Sequence, residues 1–212
     1  MSNIPSYSQT SSLYSDMGCN IEFQPPPYGG GSVRGFSIAV YCASSNLIDN
    51  IYVTEAEKLG IMLGQHGLHI INGAGNKGLM RVITDAVLSS GGTVTGVIPQ
   101  FMVDKGLCHQ NLTTVIQTET MHERKKIMAD LSDAIIALPG GYGTLEELLE
   151  IITWRQLGLH YKPIIIFNIN RFYDPLLAMF KHTVTEKFVR EEHACLWRVA
   201  DTAKDVIRII YN

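Results

Sequence analysis

The stretch Pro-Gly-Gly-Tyr-Gly-Thr-Leu-Glu-Glu, at residues 139–147, constrains the fold of this chain more than any other feature. It follows the apolar run Ala-Ile-Ile-Ala-Leu at 134–138, which has the length and composition of a buried strand. After it, apolar residues recur at helical spacing as far as Ile152, and the Thr-x-x-Glu spacing of Thr144 and Glu147 predicts a capping box. A strand, a glycine turn and a helix therefore follow one another here.

A glycine turn that leads into a helix predicts an anion site. Glycines allow backbone N–H groups to approach a ligand closely, and the N-terminus of a helix carries partial positive charge. Phosphate is the anion that this combination is best suited to bind. The spacing leaves two roles open for Glu147, because a glutamate at this position of a capping box either caps the helix or takes part in chemistry.

The chain from residue 36 onward alternates strands and helices, which predicts an α/β domain at residues 35–212. The expected architecture is a doubly wound, mainly parallel sheet with helices on both faces. Strands are predicted at 36–42, 69–72, 93–98, 113–117, 134–138, 162–168 and 196–199. Helices are predicted at about 50–66, 79–89, 121–131, 145–157, 172–187 and from 203 onward. Since ligands of such sheets bind beyond the carboxyl ends of the strands, the loops at 43–46, 73–78 and 139–144 are expected to share one edge.

Composition argues against several classes of function. With a formal net charge of −3, the chain lacks the basic excess of proteins that bind nucleic acid or anionic membranes. No apolar run approaches the roughly 20 residues of a membrane-spanning helix, so a cytoplasmic location is expected. The four cysteines are scattered, which predicts reduced thiols rather than a zinc site or a disulfide framework. Residues 1–34, rich in Ser, Tyr, Pro and Gly, predict a tail or linker.

The loop from Gly73 to Gly78 matches the G-x-G-x-x-G pattern of dinucleotide-binding dehydrogenases. That fingerprint also requires an acidic residue about 20 positions further on, and the strand at 93–98 has none. We therefore do not predict a nicotinamide cofactor. Contact with a nucleotide or a phosphate and a purely structural turn both stay open for this loop.

Arg124 lies where a charged residue is unexpected. Thr120 and Glu123 have the spacing of a second capping box, so a helix is predicted to start near Met121. At 100° per residue, Arg124 then shares the inward-facing stripe with Met121, Ile127, Met128 and Leu131. A buried guanidinium requires a carboxylate, a ligand or a route to solvent.

Three neighbouring charged residues are assigned from their spacing. Lys125 lies at the margin of the inward-facing stripe, from where its side chain could reach a phosphate. Glu146 and Glu150 are expected to face solvent.

Three segments together resemble a known family. They are Met-His-Glu-Arg-Lys at 121–125, the glycine-rich stretch at 139–147, and Ile-Thr-Trp-x-Gln-Leu-Gly at 152–158. This combination closely resembles the LONELY GUY family of cytokinin riboside 5′-monophosphate phosphoribohydrolases, many of which were once called lysine decarboxylases. The resemblance extends from residue 36 to the C-terminus, and it implies a Rossmann-like fold assembled as a homodimer or a higher homo-oligomer.

The resemblance also implies a reaction and a set of residues. The implied substrate is an AMP-like nucleoside 5′-monophosphate with an N6-modified adenine, whose N-glycosidic bond is hydrolysed to free base and ribose 5-phosphate without metal or cofactor. The implied catalytic residues are Arg124 and Glu147. The predicted substrate-binding residues are Ser44, Lys125, Gly140, Gly141, Tyr142, Gly143, Thr144, Glu146 and Thr153.

Three positions depart from the family pattern. Ala74 and Arg81 stand where the family usually has glycine in the second glycine loop, and Ala43 does so after the first strand. These changes bear on base preference and pocket size more than on the reaction. Two alternatives stay open, a broader purine nucleotide nucleosidase and a non-catalytic nucleotide-binding or carrier protein on the same scaffold. A pyridoxal-dependent lysine decarboxylase is not predicted, because no lysine stands in a pyridoxal-binding context.

Overall fold

The computed structural model describes residues 35–211, which form one seven-stranded sheet flanked by helices. The strands are β1 (Ser37–Tyr41), β2 (His69–Asn72), β3 (Thr93–Pro99), β4 (Thr114–Thr118), β5 (Ala134–Ala137), β6 (Ile164–Phe167) and β7 (Arg198–Ala200). The helices are α1 (Asn50–Gln65), α2 (Gly78–Ser89), α3 (Gln100–Val103), α4 (Met121–Leu131), α5 (Tyr142–Gln156), α6 (Asp174–Thr185) and α7 (Ala203–Tyr211).

The order of the strands creates a crevice in the middle of the sheet. The strands lie in the order β4-β3-β2-β1-β5-β6-β7, and every neighbouring pair is parallel. The chain moves outward from β1 to β4 and then returns to β5, which pairs with β1 through Ala39 and Ile135 among others. Ligands of open α/β sheets bind where the strand order reverses in this way. The switch point lies between the carboxyl ends of β1 and β5.

Both faces of the sheet are covered, which confirms the predicted doubly wound α/β architecture. Ile38 and Val40 of β1 pack into a core with α1, α2 and α7, while Ala39 and Tyr41 pack into a second core with α4, α5 and α6. Central strands buried on both faces require apolar residues at every position rather than at alternate ones. The continuous apolar runs in the sequence follow from this burial.

The predicted elements are confirmed, with shifts of a few residues at their ends. The pattern did not predict α3, because four residues are too few to show helical periodicity. Helix α6 begins at Asp174, two residues later than predicted, since the N–H of Tyr173 is bound by the side chain of Asn168 at 2.7 Å. The predicted tail at 1–34 lies outside the described residues.

The cysteines differ in state. Cys42 and Cys108 carry free thiols, whereas Cys195 is disulfide-bonded, so the prediction of reduced cysteines is wrong for Cys195. Sequence spacing cannot reveal such a bond, because it depends on the distance between Cα atoms in the fold.

Within residues 35–211, no helix is long and apolar enough to cross a membrane. The same residues contain no group of three or more His, Cys, Asp or Glu side chains placed to hold a metal ion.

Candidate active site

Three loops meet at the switch point, as predicted. The N–H of Ala43 donates to the carbonyl of Pro139 at 3.2 Å and joins the loop after β1 to the loop after β5. The N–H of Gly78 donates to the side chain of Asn46 at 2.7 Å and joins the loop after β1 to the start of α2. The carboxyl edge of the sheet therefore presents one crevice rather than three separate turns.

Helix α4 carries an arginine into this crevice. The hydroxyl of Thr120 accepts the N–H of Glu123 at 3.1 Å, which confirms the predicted cap and starts the helix at Met121. Arg124 follows in the first turn, and its side chain is only 9% exposed. Met128 is buried on the same inward stripe, whereas Met121, at the first position of the helix, is exposed.

Two oxygen atoms hold the guanidinium group of Arg124. Its Nε donates to the carbonyl of Val97 at 3.1 Å, and its Nη1 donates to Oε1 of Glu147 at 2.9 Å. Strand β2 ends at Asn72, which is in register with Gly96, so Val97 lies one residue beyond the segment that pairs with β2. The backbone of β3 and the carboxylate of α5 therefore fix the orientation of the arginine.

Glu147 is nearly as buried as its partner, with 10% of its side chain exposed. Burial raises the pKa of the Glu147 carboxyl above its usual value, while the charge and hydrogen bond of Arg124 oppose this effect. A buried carboxylate whose pKa is shifted by burial and by a specific charged partner is typical of a catalytic acid or base. Tyr41, at the end of β1, lies beside this pair, and burial together with the charge of Glu147 raises the pKa of its hydroxyl.

The capping box predicted at Thr144 is wrong. Helix α5 begins at Tyr142, and its N-cap is Gly141, which has extended backbone and contributes no side-chain cap. Thr144 is consequently the third residue of the helix rather than its cap, and Glu147 lies a further turn along. Because Arg124 binds the Glu147 carboxylate, this glutamate has no capping role.

The start of α5 is open for an anion. Within residues 35–211, the N–H groups of Tyr142, Gly143 and Thr144 have no acceptor, and the hydroxyl of Thr144 has no partner. A Cβ atom built on Gly140 would overlap the Thr144 hydroxyl, so glycine at 140 allows that side chain to lie against the turn. Unpaired N–H groups and the helix dipole together favour a phosphate at this position.

Lys125 does not point at the anion site in the structure. Its Nζ donates to Glu146 and, at 3.1 Å, to Glu150, both on α5. Although burial lowers the pKa of Lys125, these two hydrogen bonds raise it above its usual value. Glu146 is exposed, as expected, whereas Glu150 is only partly exposed, and spacing did not predict that both carboxylates bind this buried ammonium group.

The N–H groups of the Gly73–Gly78 loop are largely used by the protein itself. The N–H of Ala74 donates to the side chain of Asn72 at 2.9 Å, and that of Asn76 donates to the carbonyl of Leu107 at 3.1 Å. With Gly78 bound to Asn46, the start of α2 is also occupied. The structural role left open for this loop is therefore favoured over phosphate binding.

Comparisons with known proteins show the family to which this chain belongs. A family model described as "Possible lysine decarboxylase" matches residues 80–210. A rice protein named cytokinin riboside 5′-monophosphate phosphoribohydrolase LOG is 42% identical over 170 residues, which are 80% of this chain and 70% of the rice protein. The chain belongs to the LONELY GUY family. A protein from Rhodococcoides fascians, also named cytokinin riboside 5′-monophosphate phosphoribohydrolase, is 42% identical over 154 residues, which are 72% of this chain and 78% of that protein.

Solved structures share the LONELY GUY fold at lower identity. The molybdenum cofactor carrier protein of Chlamydomonas reinhardtii superimposes with a TM-score of 0.64 at 20% identity, covering 84% of this chain and 96% of the carrier. A molybdenum cofactor binding protein from Rippkaea orientalis gives a TM-score of 0.64 at 22% identity, covering 84% of this chain and 97% of that protein. At these identities the likeness establishes the Rossmann-like fold alone.

Two of the three departures from the LONELY GUY pattern, Ala74 and Arg81, have different surroundings. Ala74 has a positive φ of 58° and is fully buried, with its Cβ packed toward Gly96. Arg81 points outward and donates to Asp85 at 3.3 Å, with 64% of its side chain exposed. Within residues 35–211, no hydrogen bond or ion pair joins either side chain to Arg124 or Glu147.

Two predicted substrate-binding residues, Ser44 and Thr153, are exposed. Ser44 is exposed in the loop after β1, at the switch point. Thr153 is exposed on α5, nine residues beyond Thr144 and hence about 13 Å along the helix axis, and its hydroxyl donates to the carbonyl of Leu149 at 2.8 Å. Their roles as LONELY GUY substrate residues stay predictions.

Sequence reasoning missed three groups that shape the site. The carbonyl of Val97 has no signal in the sequence, because any residue supplies one. Tyr41 reads as an ordinary core residue of a buried strand. Gly73 is visible as part of a glycine loop, but the reason for a glycine at that position emerges only when Arg124 is placed beside it.

Proposed function

We propose that this protein hydrolyses the N-glycosidic bond of an AMP-like nucleoside 5′-monophosphate with an N6-modified adenine, and releases free base and ribose 5-phosphate. The observation that carries the proposal is the buried Arg124–Glu147 pair, one helical turn from an open anion site on α5. Thr144 and Glu147 are three residues apart, so they share a face of the helix and are separated by about 4.5 Å along its axis. A 5′-phosphate bound at the helix start would place its ribose beside the carboxylate.

The chemistry follows from this placement. Departure of the base with the bonding electrons gives the ribose oxocarbenium character at C1′, which the Glu147 carboxylate stabilises. Glu147 also acts as a general base, accepting a proton from the water whose oxygen attacks C1′. The carboxylate then returns this proton to solvent and the departed base takes one up, so that the reaction consumes one water overall. Arg124 holds the carboxylate in one orientation and lowers its proton affinity, which keeps it available as an anion. Phosphate binding by the α5 N-terminus, Gly140–Thr144, anchors the substrate while the bond breaks.

Location and assembly are part of the proposal. We infer a cytoplasmic enzyme that acts as a homodimer or a higher homo-oligomer. Large apolar side chains of α5 and the turn after it are exposed, namely Tyr142, Leu149, Leu157, Leu159 and Tyr161. Several large exposed apolar side chains on one helix and the turn after it favour a protein partner, and a second copy is the partner expected from the family.

A panel of nucleotides tests the proposal. Purified protein is incubated with AMP, N6-isopentenyl-AMP, GMP and the nucleoside N6-isopentenyladenosine, and free base is measured by chromatography. The proposal predicts base release from N6-isopentenyl-AMP in preference to AMP and GMP, and slower release from the nucleoside, which lacks the phosphate. Equal cleavage of all purine nucleotides would identify the broader nucleosidase, and binding without base release would identify a carrier.

A further inference from the structure

The second glycine loop has a feature that phosphate binding does not explain. A Cβ atom built on Gly73 would overlap the Nη2 atom of Arg124 and lie 3.0 Å from its Cζ atom. The guanidinium group therefore lies directly against the backbone of residue 73. The φ angle of Gly73 is not positive, so the backbone conformation itself does not require glycine here.

The backbone around Gly73 is fixed, so it cannot move away from a larger residue. Asn72 is fully buried, with its Oδ1 accepting the N–H of Ala74 at 2.9 Å and its Nδ2 donating to Thr84 at 2.9 Å. The carbonyl of Ala74 accepts the N–H of His109 at 2.8 Å. An added methyl group at residue 73 would consequently displace the side chain that meets it.

Arg124 is held in place by contacts of both its side chain and its backbone. Its Nε is held by the Val97 carbonyl, and its own backbone N–H donates to Thr120 within the first turn of α4. Displacement of the guanidinium away from residue 73 would change the 2.9 Å contact of Nη1 with Glu147. The glycine and the ion pair are therefore geometrically coupled.

We propose that Gly73 is a positioning residue for the reaction, whose lack of a side chain admits the guanidinium of Arg124 and aligns it with Glu147. The inference rests on the proposed function for its effect on catalysis. It also assigns a specific purpose to the first glycine of the loop, which is to leave room for an arginine side chain.

A double-mutant cycle tests this. The variants are Gly73→Ala, Arg124→Ala and the two combined, and the readouts are the kcat and KM of base release and the midpoint of thermal unfolding. Gly73→Ala is expected to lower kcat by about 10²-fold, as displacement of a reacting group by about 1 Å does, with little change in KM because the phosphate site is intact. In the Arg124→Ala background, the same substitution is expected to change neither kcat nor the unfolding midpoint, since the added methyl group fills vacated space.

Gly75→Ala is the matched control in the same loop. Its Cβ atom would meet only the flexible side chain of Met80, at 2.9 Å, so kcat is expected to stay near that of the wild type. If Gly73→Ala does not fold, recovery of a folded protein in Gly73→Ala/Arg124→Ala supports the proposal. Failure of the double variant to fold overturns it.

Other results also overturn the proposal. An unchanged kcat in Gly73→Ala does so, as does a loss of activity or stability that is equal in the wild-type and Arg124→Ala backgrounds. If the wild-type protein releases no base, the proposed function fails, but the unfolding midpoints of the four proteins still determine whether Gly73 and Arg124 are coupled. The two failures are thus distinguishable.

Discussion

The residues proposed to carry out the reaction form one buried ion pair, Arg124 and Glu147. Arg124 and Glu147 are both about nine-tenths buried and 2.9 Å apart, so neither is paired mainly with water. The arginine could be predicted as an inward-facing cation that needs a partner, because helical periodicity places it in the apolar stripe. Its partner could not be derived from spacing, since the two residues are 23 positions apart and meet only through the sheet.

The pH dependence of activity should report this pair. Because burial raises the pKa of Glu147 and the carboxylate is the active form, the acidic limb of kcat/KM is expected above the usual range of glutamate. Arg124→Met removes the cation that opposes this shift, so the limb should move to still higher pH as activity falls. Steady-state rates measured from about pH 4, near the usual glutamate pKa, to about pH 9 provide the measurement.

Lys126→Met is the control for that pH profile, because Lys126 is on the same helix but is 69% exposed. It removes one positive charge without touching the pair and should leave the acidic limb in place. An acidic limb at or below the usual glutamate pKa in the wild type would contradict the account. So would an unchanged limb in Arg124→Met.

At the scale of elements, α4 and α5 are joined by two adjacent ion pairs. Arg124 and Lys125 of α4 bind Glu147 and Glu146 of α5, and Glu150 adds a second contact to the lysine. The same Thr-x-x-Glu spacing occurs at the start of both helices, but it forms a cap only on α4. On α5, a guanidinium binds the glutamate more strongly than a backbone N–H would, and tertiary contacts therefore override the local pattern.

Lys125→Met tests how much the ion pairs of Lys125 with Glu146 and Glu150 stabilise the contact between α4 and α5. The substitution leaves Glu146 and Glu150 without their shared cation, so it should lower the free energy of unfolding by about 1–2 kcal/mol, less than for a fully buried pair because Glu146 is exposed. Urea unfolding measures the change. Lys126→Met should cost about 0–0.5 kcal/mol, since its partner Asp130 is exposed. An equal loss of unfolding free energy in Lys125→Met and Lys126→Met would contradict a stabilising role of the Lys125 ion pairs.

Thr144→Val tests the anion site at the start of α5. A hydroxyl bound to a charged group contributes about 1.5–3 kcal/mol, so its loss should raise KM for the nucleotide by about tenfold or more. Hydrolysis of the corresponding nucleoside should change much less, because it has no phosphate to bind. Steady-state kinetics with the nucleotide and the nucleoside provide both values. A similar loss for both substrates would show that Thr144 does not bind the phosphate.

At the scale of the whole molecule, the strand order decides where the site lies. Alternation of strands and helices was enough to predict a parallel doubly wound sheet and one edge shared by three loops. It could not predict which strands are neighbours, because pairing between β1 and β5 joins segments almost 100 residues apart. The crevice therefore follows from long-range packing, even though each loop that lines it is recognisable in the sequence.

The exposed apolar surface of α5 leads to a prediction about assembly. Leu157→Glu places a charge on this surface and should shift the protein toward monomer in sedimentation velocity experiments. Val115→Glu is the control, because Val115 is also exposed and apolar but lies on the edge strand β4. A wild-type protein that is monomeric at micromolar concentration, or equal effects of the two substitutions, would contradict an interface through α5.

The central claim is that the Glu147 carboxylate, oriented by Arg124, breaks the glycosidic bond of a nucleotide held at the start of α5. The most direct measurement compares the wild type with Glu147→Gln for release of free base from N6-isopentenyl-AMP, with unfolding midpoints and nucleotide binding recorded for both. Glutamine keeps the shape of the side chain and can still accept a hydrogen bond from Arg124. The account predicts that Glu147→Gln folds and binds the nucleotide but loses activity by on the order of 10²–10⁴-fold. Full activity in a folded Glu147→Gln variant would contradict it.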